Sequence, residues 1–307
     1  MKTSTDRGQS WGKAQFLTDK GYANAKAIFD EQRNNLVVQY SRNKPAAVFQ
    51  ITSKDHGKTW SKQVEIKEAT ECGGGGVGGG GQRTMTEGGR MLWYSDAPGC
   101  IWYSDDGGKT YGTFKGVNGW NEASFVSIAQ HSIYANGRAH GNKPNRVNYK
   151  SHDDGKSWTS SESDLKDPVT HGEVRGTAIG LAAGHIPDGG TTKTIYESEP
   201  VGIDGSQMET DPAMLGGRRR KGGDCPGRAC ARARLTLRCS LDGGKSFPYS
   251  IVVNGDHRAE YSALHYFGTA DGPRLLVAWT YLDNFDTTAG EHILTSVYPI
   301  DWCKGGK

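Results

Sequence analysis

The sequence predicts an all-β protein, a six-bladed β-propeller built around a repeated acidic turn. Three observations predict this fold: a motif that occurs five times, a spacing of about fifty residues between most copies, and short strands between them. Such a period is typical of a repeated supersecondary unit, and four short strands per unit in radial repetition are typical of a propeller blade. No segment shows a sustained helical period.

The repeated motif reads S-x-D-x-G-x-(S/T)-aromatic, and its copies begin at residues 4, 53, 104, 151 and 240. The Asp side chain in such a turn accepts hydrogen bonds from backbone N–H groups a few residues further on, and Gly supplies the positive φ that a tight turn needs. The final aromatic residue can pack against neighbouring strands. We interpret the motif as a structural turn, because an acidic residue committed to backbone hydrogen bonds is poorly placed for chemistry.

The segments between the motifs read as strands, rich in β-branched and aromatic residues, and most run directly into a motif. They are NLVVQY (35–40), AAVFQIT (46–52), RMLWYS (90–95), RVNYKS (146–151) and RLTLRCS (234–240). The long interval between the last two motifs contains a Gly/Arg-rich stretch at about 184–231. We interpret this stretch as a surface insertion in one blade of a single domain that spans residues 1–307.

Composition and charge exclude several classes of protein. The net charge of +3 is too small to indicate a nucleic-acid partner, and the one basic cluster, GRRRKGG at 217–223, is interpreted as a solvated loop. Apolar runs such as 275–279 are too short to span a bilayer, and the first residues lack the order of a signal peptide. The stretch CGGGGVGGGGQ (72–82) lacks the G-K-(S/T) ending of a phosphate-binding loop and is interpreted as a flexible or closely packed loop.

The cysteines and histidines predict no metal site or cofactor. The cysteines are Cys72, Cys100, Cys225, Cys230, Cys239 and Cys303. Their even number leaves scattered thiols and one or two disulfides both open, and with them the redox compartment. Cys225 and Cys230 have neither a second Cys pair nor His partners at zinc spacing, and His131, His140 and His171 match no metal spacing.

Three segments outside the repeated motif carry the candidate chemistry. NEASFVSIAQHSIYANGR (121–138) contains Glu122 and, sixteen residues later, Arg138. RARLTLRCSLDGGKSF begins with Arg232 before a strand that enters a motif, and AEYSALHY (259–266) contains Tyr261. Together these segments and the repeated motif resemble the sialidase (neuraminidase) family, six-bladed propellers with Asp-box, or BNR, repeats that remove terminal sialic acids. Asp boxes also occur in other propellers, so they indicate a fold more than an activity.

The resemblance implies a role for each of the four residues. Tyr261 corresponds to the nucleophile in the family's Y-S-x-L strand, Glu122 to its base, and Arg138 and Arg232 to guanidinium groups that bind the substrate carboxylate. A carboxylate nucleophile would be repelled there, whereas a neutral phenol, with a free pKa near ~10, avoids the repulsion but needs a base. The implied activity is exo-α-sialidase hydrolysis with retention, acting on sialylated glycoproteins, gangliosides and oligosaccharides.

The sequence departs from the family pattern in two places. Arg234 stands where the family's R-x-N-L-T-V-R pattern has Asn, so Arg228 and Arg234 are alternatives to Arg232. The family's first arginine, in an R-I-P strand, and its acid/base aspartate precede the first Asp box, which begins here at Ser4; the sequence GHIPDGG (184–190) has His in place of that arginine. We therefore expect an incomplete first blade and weak activity, since losing a general acid costs about 10²–10⁴ in rate.

Two functions follow from the sequence. The first is a sialidase that uses the four residues above without a cofactor. The second is a non-catalytic Asp-box propeller, a sialidase relic or fragment, that binds glycans or proteins. The sequence does not indicate a cellular compartment.

Overall fold

The computed structural model of the chain describes residues 1–18, 23–73, 83–86, 88–95, 99–117, 122–138, 145–166, 169–170, 173–174, 179–186, 190–202, 232–255, 257–282 and 291–304. Almost all of the regular secondary structure in these residues is β-strand. The single α-helix among them, α1 (Lys67–Glu71), is short, and no helix in the described ranges is long and apolar enough to cross a membrane.

Five antiparallel sheets follow one another along the chain and form five blades. The first blade contains β1 (Ala23–Asp30), β2 (Asn35–Asn43), β3 (Ala46–Ser53) and β4 (Val64–Glu65). The second contains β5 (Arg83–Met85), β6 (Met91–Ser95), β7 (Cys100–Ser104) and β8 (Gly112–Lys115). The third contains β9 (Ser124–Ala129), β10 (Ser132–Gly137), β11 (Asn145–Ser151) and β12 (Thr159–Lys166).

The last two blades are separated from the third by a two-stranded ribbon of β13 (Val169–Thr170) and β14 (Glu173–Val174). The fourth blade contains β15 (Gly180–Ala183), β16 (Ile195–Pro200), β17 (Leu235–Ser240) and β18 (Tyr249–Val252). The fifth blade contains β19 (Ala259–Phe267), β20 (Arg274–Leu282) and β21 (Glu291–Pro299), and a short 3₁₀ helix (Asp301–Lys304) follows it. The first strand of each blade contacts the first strand of the next, so β1, β5, β9, β15 and β19 lie side by side around the centre.

The prediction of an all-β propeller is confirmed, but the prediction of six blades is wrong. Residues 1–18 carry the first Asp box and form no strand, so no sheet accompanies that box among the described residues. Four boxes connect the third and fourth strands of a blade, and the fifth blade has no box. The sixth blade was expected beside the first box, but the motif specifies a turn rather than the sheet beside it.

The Asp boxes make the hydrogen bonds that the sequence suggested. In the box that begins at Ser53, the carboxylate of Asp55 accepts hydrogen bonds from the backbone N–H of Thr59 at 2.8 Å and from its hydroxyl at 2.6 Å. The first box repeats this arrangement: hydrogen bonds from the Ser10 hydroxyl and backbone N–H lower the pKa of Asp6 to about 2. These carboxylates are occupied by their own turns.

The boxes of the second, third and fourth blades also fix each of these blades to the one before it, through its second or third strand. In the third blade's box, Gly155 leaves no room for a side chain, since a Cβ there would lie 2.5 Å from Leu92 of β6. The fourth blade's box is held in the same way by the Asn148 amide, which donates to a box carbonyl at 2.9 Å. The first box rests on the fifth blade, where Gly8 faces Leu276 of β20.

The hydrophobic core consists of layers between neighbouring blades. Side chains from two adjacent sheets share five of the six buried clusters among the described residues, and the sheets therefore pack face to face around the centre. The remaining cluster lies within the first blade. Representative pairs are Val37 with Trp93, Tyr134 with Ile195, and Leu237 with Val277. Burying these faces against each other makes every blade depend on its neighbours.

Two disulfides are present among the described residues. Cys72, which follows α1, is bonded to Cys100 of β7, and Cys239 of β17 is bonded to Cys303 of the 3₁₀ helix. Of the features singled out in the sequence, the following lie wholly or mostly outside the described residues: Cys225, Cys230, Arg228, His140, His171, the Gly-rich loop at 72–82, the basic cluster at 217–223 and most of the insertion at 184–231.

Candidate active site

The four candidate residues come from three different blades and meet at one end of the inner strands. Glu122 lies two residues before β9, and Arg138 directly follows β10 in the same blade. Arg232 lies just before β17, and Tyr261 lies near the start of β19. Because β9, β15 and β19 are neighbours around the centre, these segments converge.

A β-bulge at the start of β19 directs Tyr261 into the site. Ala259 pairs with Tyr281 and Ser262 pairs with Trp279, so two residues of β19 face one residue of β20. An extra residue of this kind interrupts the strict alternation of side chains along a strand. The result is that Tyr261 and its neighbour Glu260 both reach partners in the site.

Glu122 connects the candidate nucleophile to a guanidinium group. The Tyr261 hydroxyl donates a hydrogen bond of 2.9 Å to Oε1 of Glu122, while Oε2 accepts one of 3.2 Å from Nη1 of Arg138. Glu122 is 7% exposed and has a φ of +43°, a region that non-glycine residues rarely occupy. Backbone strain of this kind is concentrated at functional sites, where the surrounding structure holds it in place.

Arg232 lies on the other side of Tyr261. Its guanidinium carbon is 5.4 Å from the centre of the Tyr261 ring, within the range of a cation–π contact, and the residue is 3% exposed. Its Nη1 also lies 3.3 Å from Oε2 of Glu260. Of the two alternatives, Arg228 lies outside the described residues and Arg234 has a φ of +56° at the turn before β17.

The surroundings of Tyr261 keep its hydroxyl protonated. Burial raises the pKa of Tyr261 above its ordinary value, the Glu122 carboxylate raises it further, and the Arg232 guanidinium opposes that rise. A phenol of this kind becomes a nucleophile only when a base removes its proton as it reacts. Glu122 is placed to do so, and Arg232 is placed to stabilise the negative charge that forms on the oxygen.

The sequence reasoning missed two charged residues of this cluster, Arg258 and Glu260. Oε1 of Glu260 accepts a hydrogen bond of 2.8 Å from Nη2 of Arg258. The sequence did carry a signal for them, because Glu260 lies one residue and Arg258 three residues before Tyr261, at the start of a largely apolar strand. Among the described residues, Arg258 adds a third guanidinium group to Arg138 and Arg232, beside the carboxylates of Glu122 and Glu260.

The histidines named in the sequence do not join this cluster within the described part of the chain. His131 instead pairs with Asp154 at 2.8 Å in an exposed position. Among the residues that the structure describes, no group of three or more His, Cys, Asp or Glu side chains is arranged to hold a metal ion.

Comparison with known proteins gives one family and several similar structures. A family model described as a BNR repeat-like domain matches residues 1–272. The intramolecular trans-sialidase from Ruminococcus gnavus, solved with oseltamivir carboxylate, is similar over 99% of this chain and 88% of its own, with a TM-score of 0.65 and 13% identity. No curated protein sequence matches.

Two further sialidase structures are longer than this chain. The Trypanosoma rangeli sialidase, solved with sialic acid, matches over 99% of this chain and 49% of its own, with a TM-score of 0.58 and 16% identity. The leech intramolecular trans-sialidase, solved with 2,7-anhydro-Neu5Ac, matches over 85% of this chain and 37% of its own, with a TM-score of 0.56 and 18% identity. This chain thus spans about half or less of these two proteins, and identities this low establish a shared fold.

Proposed function

The chain belongs to the family of BNR repeat-like domains, and from this membership we propose that it is an exo-α-sialidase-type glycoside hydrolase. Its substrates would be the terminal sialic acids of glycoproteins, gangliosides and oligosaccharides. One observation carries the proposal: the 2.9 Å contact between the Tyr261 hydroxyl and the Glu122 carboxylate, with Arg138 and Arg232 beside it. Tyrosine is an unusual glycosidase nucleophile, and sialidases are the noted exception that uses it.

The proposed mechanism begins with the substrate carboxylate, which Arg138 and Arg232 bind next to the anomeric carbon. Glu122 then takes the phenol proton as the Tyr261 oxygen attacks that carbon, the bond to the leaving oxygen breaks, and that oxygen takes a proton from water. Water then attacks the same carbon and gives up a proton to the solvent, while the Tyr261 oxygen leaves, takes its proton back from Glu122 and releases the sugar. Two displacements at the same carbon retain the anomeric configuration.

Neither carboxylate in the described cluster is suited to protonate the leaving oxygen. Glu122 serves as the base, and the two oxygens of Glu260 are bound by Arg232 and Arg258. Without a positioned acid, turnover should be about 10²–10⁴ lower than with one. This feature supports a second candidate function, a propeller that binds sialylated glycans through the same guanidinium groups without cleaving them.

The test is hydrolysis of a fluorogenic α-sialoside by the full chain, compared with Tyr261→Phe. We expect slow turnover that Tyr261→Phe lowers at least about 10²-fold, because it removes the nucleophile and its proton. Tyr266→Phe, which removes a hydroxyl from the same strand where the ring stacks on Tyr196, is the matched control and should retain activity.

Three other outcomes have separate meanings. Equal turnover by the wild type and Tyr261→Phe would reject Tyr261 as the nucleophile. Binding of the sialoside without turnover would favour the glycan-binding propeller. Neither binding nor turnover would reject both functions.

A further inference from the structure

The carboxylate of Glu260 bridges two guanidinium groups beside Tyr261. Oε2 lies 3.3 Å from Nη1 of Arg232, and Oε1 lies 2.8 Å from Nη2 of Arg258. The side chains of Glu260, Arg232 and Arg258 are 16%, 3% and 12% exposed, respectively, so all three are largely removed from water. A carboxylate that is shared in this way fixes the position of both guanidinium groups.

The backbone explains why such a bridge is needed. An antiparallel bridge pairs Ala233 with Arg258, and the N–H of Ala259 donates to the carbonyl of Arg232 at 2.8 Å. The two arginines therefore project from facing segments, where like charges repel. The negative charge of Glu260 lies between the two guanidinium groups and offsets this repulsion.

We propose that Glu260 is a positioning residue, which holds Arg232 over the Tyr261 ring by bridging it to Arg258. The bulge in β19 makes this possible, because it lets adjacent residues of one strand reach the same cluster. Arg232 can then stabilise the Tyr261 oxygen as it becomes negative. The binding of a substrate carboxylate by Arg232 rests on the proposed function. The positioning of Arg232 by Glu260 does not rest on it.

The ionisation of Tyr261 distinguishes positioning from a simple charge effect, because the two predict opposite signs. If Glu260 acts only through its own negative charge, Glu260→Gln removes a charge that disfavours the phenolate, and the pKa of Tyr261 falls. If Glu260 positions Arg232, the same substitution releases the guanidinium from the ring, and the pKa rises. An opposite charge at short range shifts a pKa by about 1–3 pH units, so we expect a rise of about one pH unit.

The experiment places 3-fluorotyrosine at position 261 of the full chain and follows its fluorine NMR signal during a pH titration. The fluorinated phenol is more acidic than tyrosine, so its ionisation is easier to reach before the protein unfolds. Glu260→Gln is compared with Glu65→Gln, an exposed carboxylate on β4 that should leave the titration unchanged. Glu260→Asp keeps the charge but is too short to span both guanidinium groups, so it should also raise the pKa.

Glu260→Asp decides the test if Glu260→Gln does not fold. A pKa of position 261 that falls or stays unchanged in the folded variant would overturn the positioning role. The same labelled proteins are then titrated with the α-methyl glycoside of sialic acid. We expect Glu260→Gln to bind it about tenfold more weakly, and tighter binding would mean that Glu260 competes with the ligand instead. If the wild type does not bind the glycoside, the proposed function fails, and the pH titration still decides whether Glu260 positions Arg232.

Discussion

Among the described residues, Arg138 and Tyr261 contact different oxygens of the Glu122 carboxylate. Oε2 accepts from Arg138, and Oε1, which accepts from the Tyr261 hydroxyl, is the oxygen placed to take its proton. The left-handed backbone at Glu122 supports this arrangement, because it directs a side chain from the segment before β9 across to β19. The chemistry of the site therefore depends on the backbone conformation of a single residue.

We expect Glu122→Gln to make the activity strongly dependent on pH. The amide keeps the shape of the side chain but cannot take a proton, so turnover near neutral pH should fall about 10²–10⁴-fold. The Glu122 charge is one of the causes that raise the pKa of Tyr261, so its removal lowers that pKa. More phenolate then forms as the pH rises, and the lost activity should recover towards alkaline pH.

The measurement is the pH profile of fluorogenic sialoside hydrolysis. Glu162→Gln, an exposed carboxylate on β12, is the matched control and should keep the wild-type profile. A Glu122→Gln profile parallel to that of the wild type would show that Glu122 is not the base.

At the scale of secondary-structure elements, the Asp box joins neighbouring blades through a glycine that packs closely against the preceding blade. Gly155 has a φ of +84° and lies against Leu92 of the preceding blade. Gly255, in the turn after β18, has a φ of +59°, and a Cβ at that position would have no atom within 4 Å. The two positions share a left-handed backbone and differ in the space around them.

Gly155→Ala should therefore destabilise the protein more than Gly255→Ala. Left-handed backbone costs an alanine about 1–2 kcal/mol at either position, and the forced contact with Leu92 adds about 1–3 kcal/mol at Gly155. The free energy of unfolding, measured in urea, should fall by about 2–5 kcal/mol for Gly155→Ala and about 1–2 kcal/mol for Gly255→Ala. Equal losses would mean that the box does not depend on close contact with the preceding blade.

The sequence predicted structural elements well where a short segment of chain is enough to specify them. The boxes, the strands that enter them and the region of each of the four site residues can all be read from short segments. The bulge in β19 cannot, because it depends on how β19 pairs with β20, and for that reason Arg258 and Glu260 were missed. The number of blades was wrong for a related reason: a box has the same sequence whether or not three strands precede it.

At the scale of the whole molecule, the five boxes act together on stability in acid. Their aspartates, Asp6, Asp55, Asp106, Asp153 and Asp242, all have a lowered pKa, which reaches about 2 for three of them. A carboxylate whose pKa is lower in the folded state stabilises the protein above its unfolded pKa and loses that effect as the pH falls through its folded pKa. The boxes should therefore lose their contribution together between about pH 4 and pH 2.

The combined contribution of the box aspartates to acid stability can be measured as proton uptake on unfolding. The slope of the unfolding free energy against pH gives the difference in bound protons between the unfolded and folded states. Asp106→Asn combined with Asp242→Asn should lower that difference by up to two protons between pH 2 and pH 4, since two such groups are removed. The exposed pair Glu31→Gln and Asp271→Asn is the control. An unchanged slope in the first double variant would show that the boxes do not control acid stability.

The contact between Gly8 and Leu276 also sets an order of events when the protein is made. The ribosome releases the first box early, but the strand on which that box rests is synthesised more than 250 residues later. Blades that pack on their predecessors can assemble one after another as they emerge, whereas the first box has to wait for the fifth blade. Packing of the first box on the fifth blade is therefore a step that follows translation of β20. Loop-closure entropy makes such long-range contacts slow to form. Until then the surface that the first box and β20 share remains accessible to chaperones.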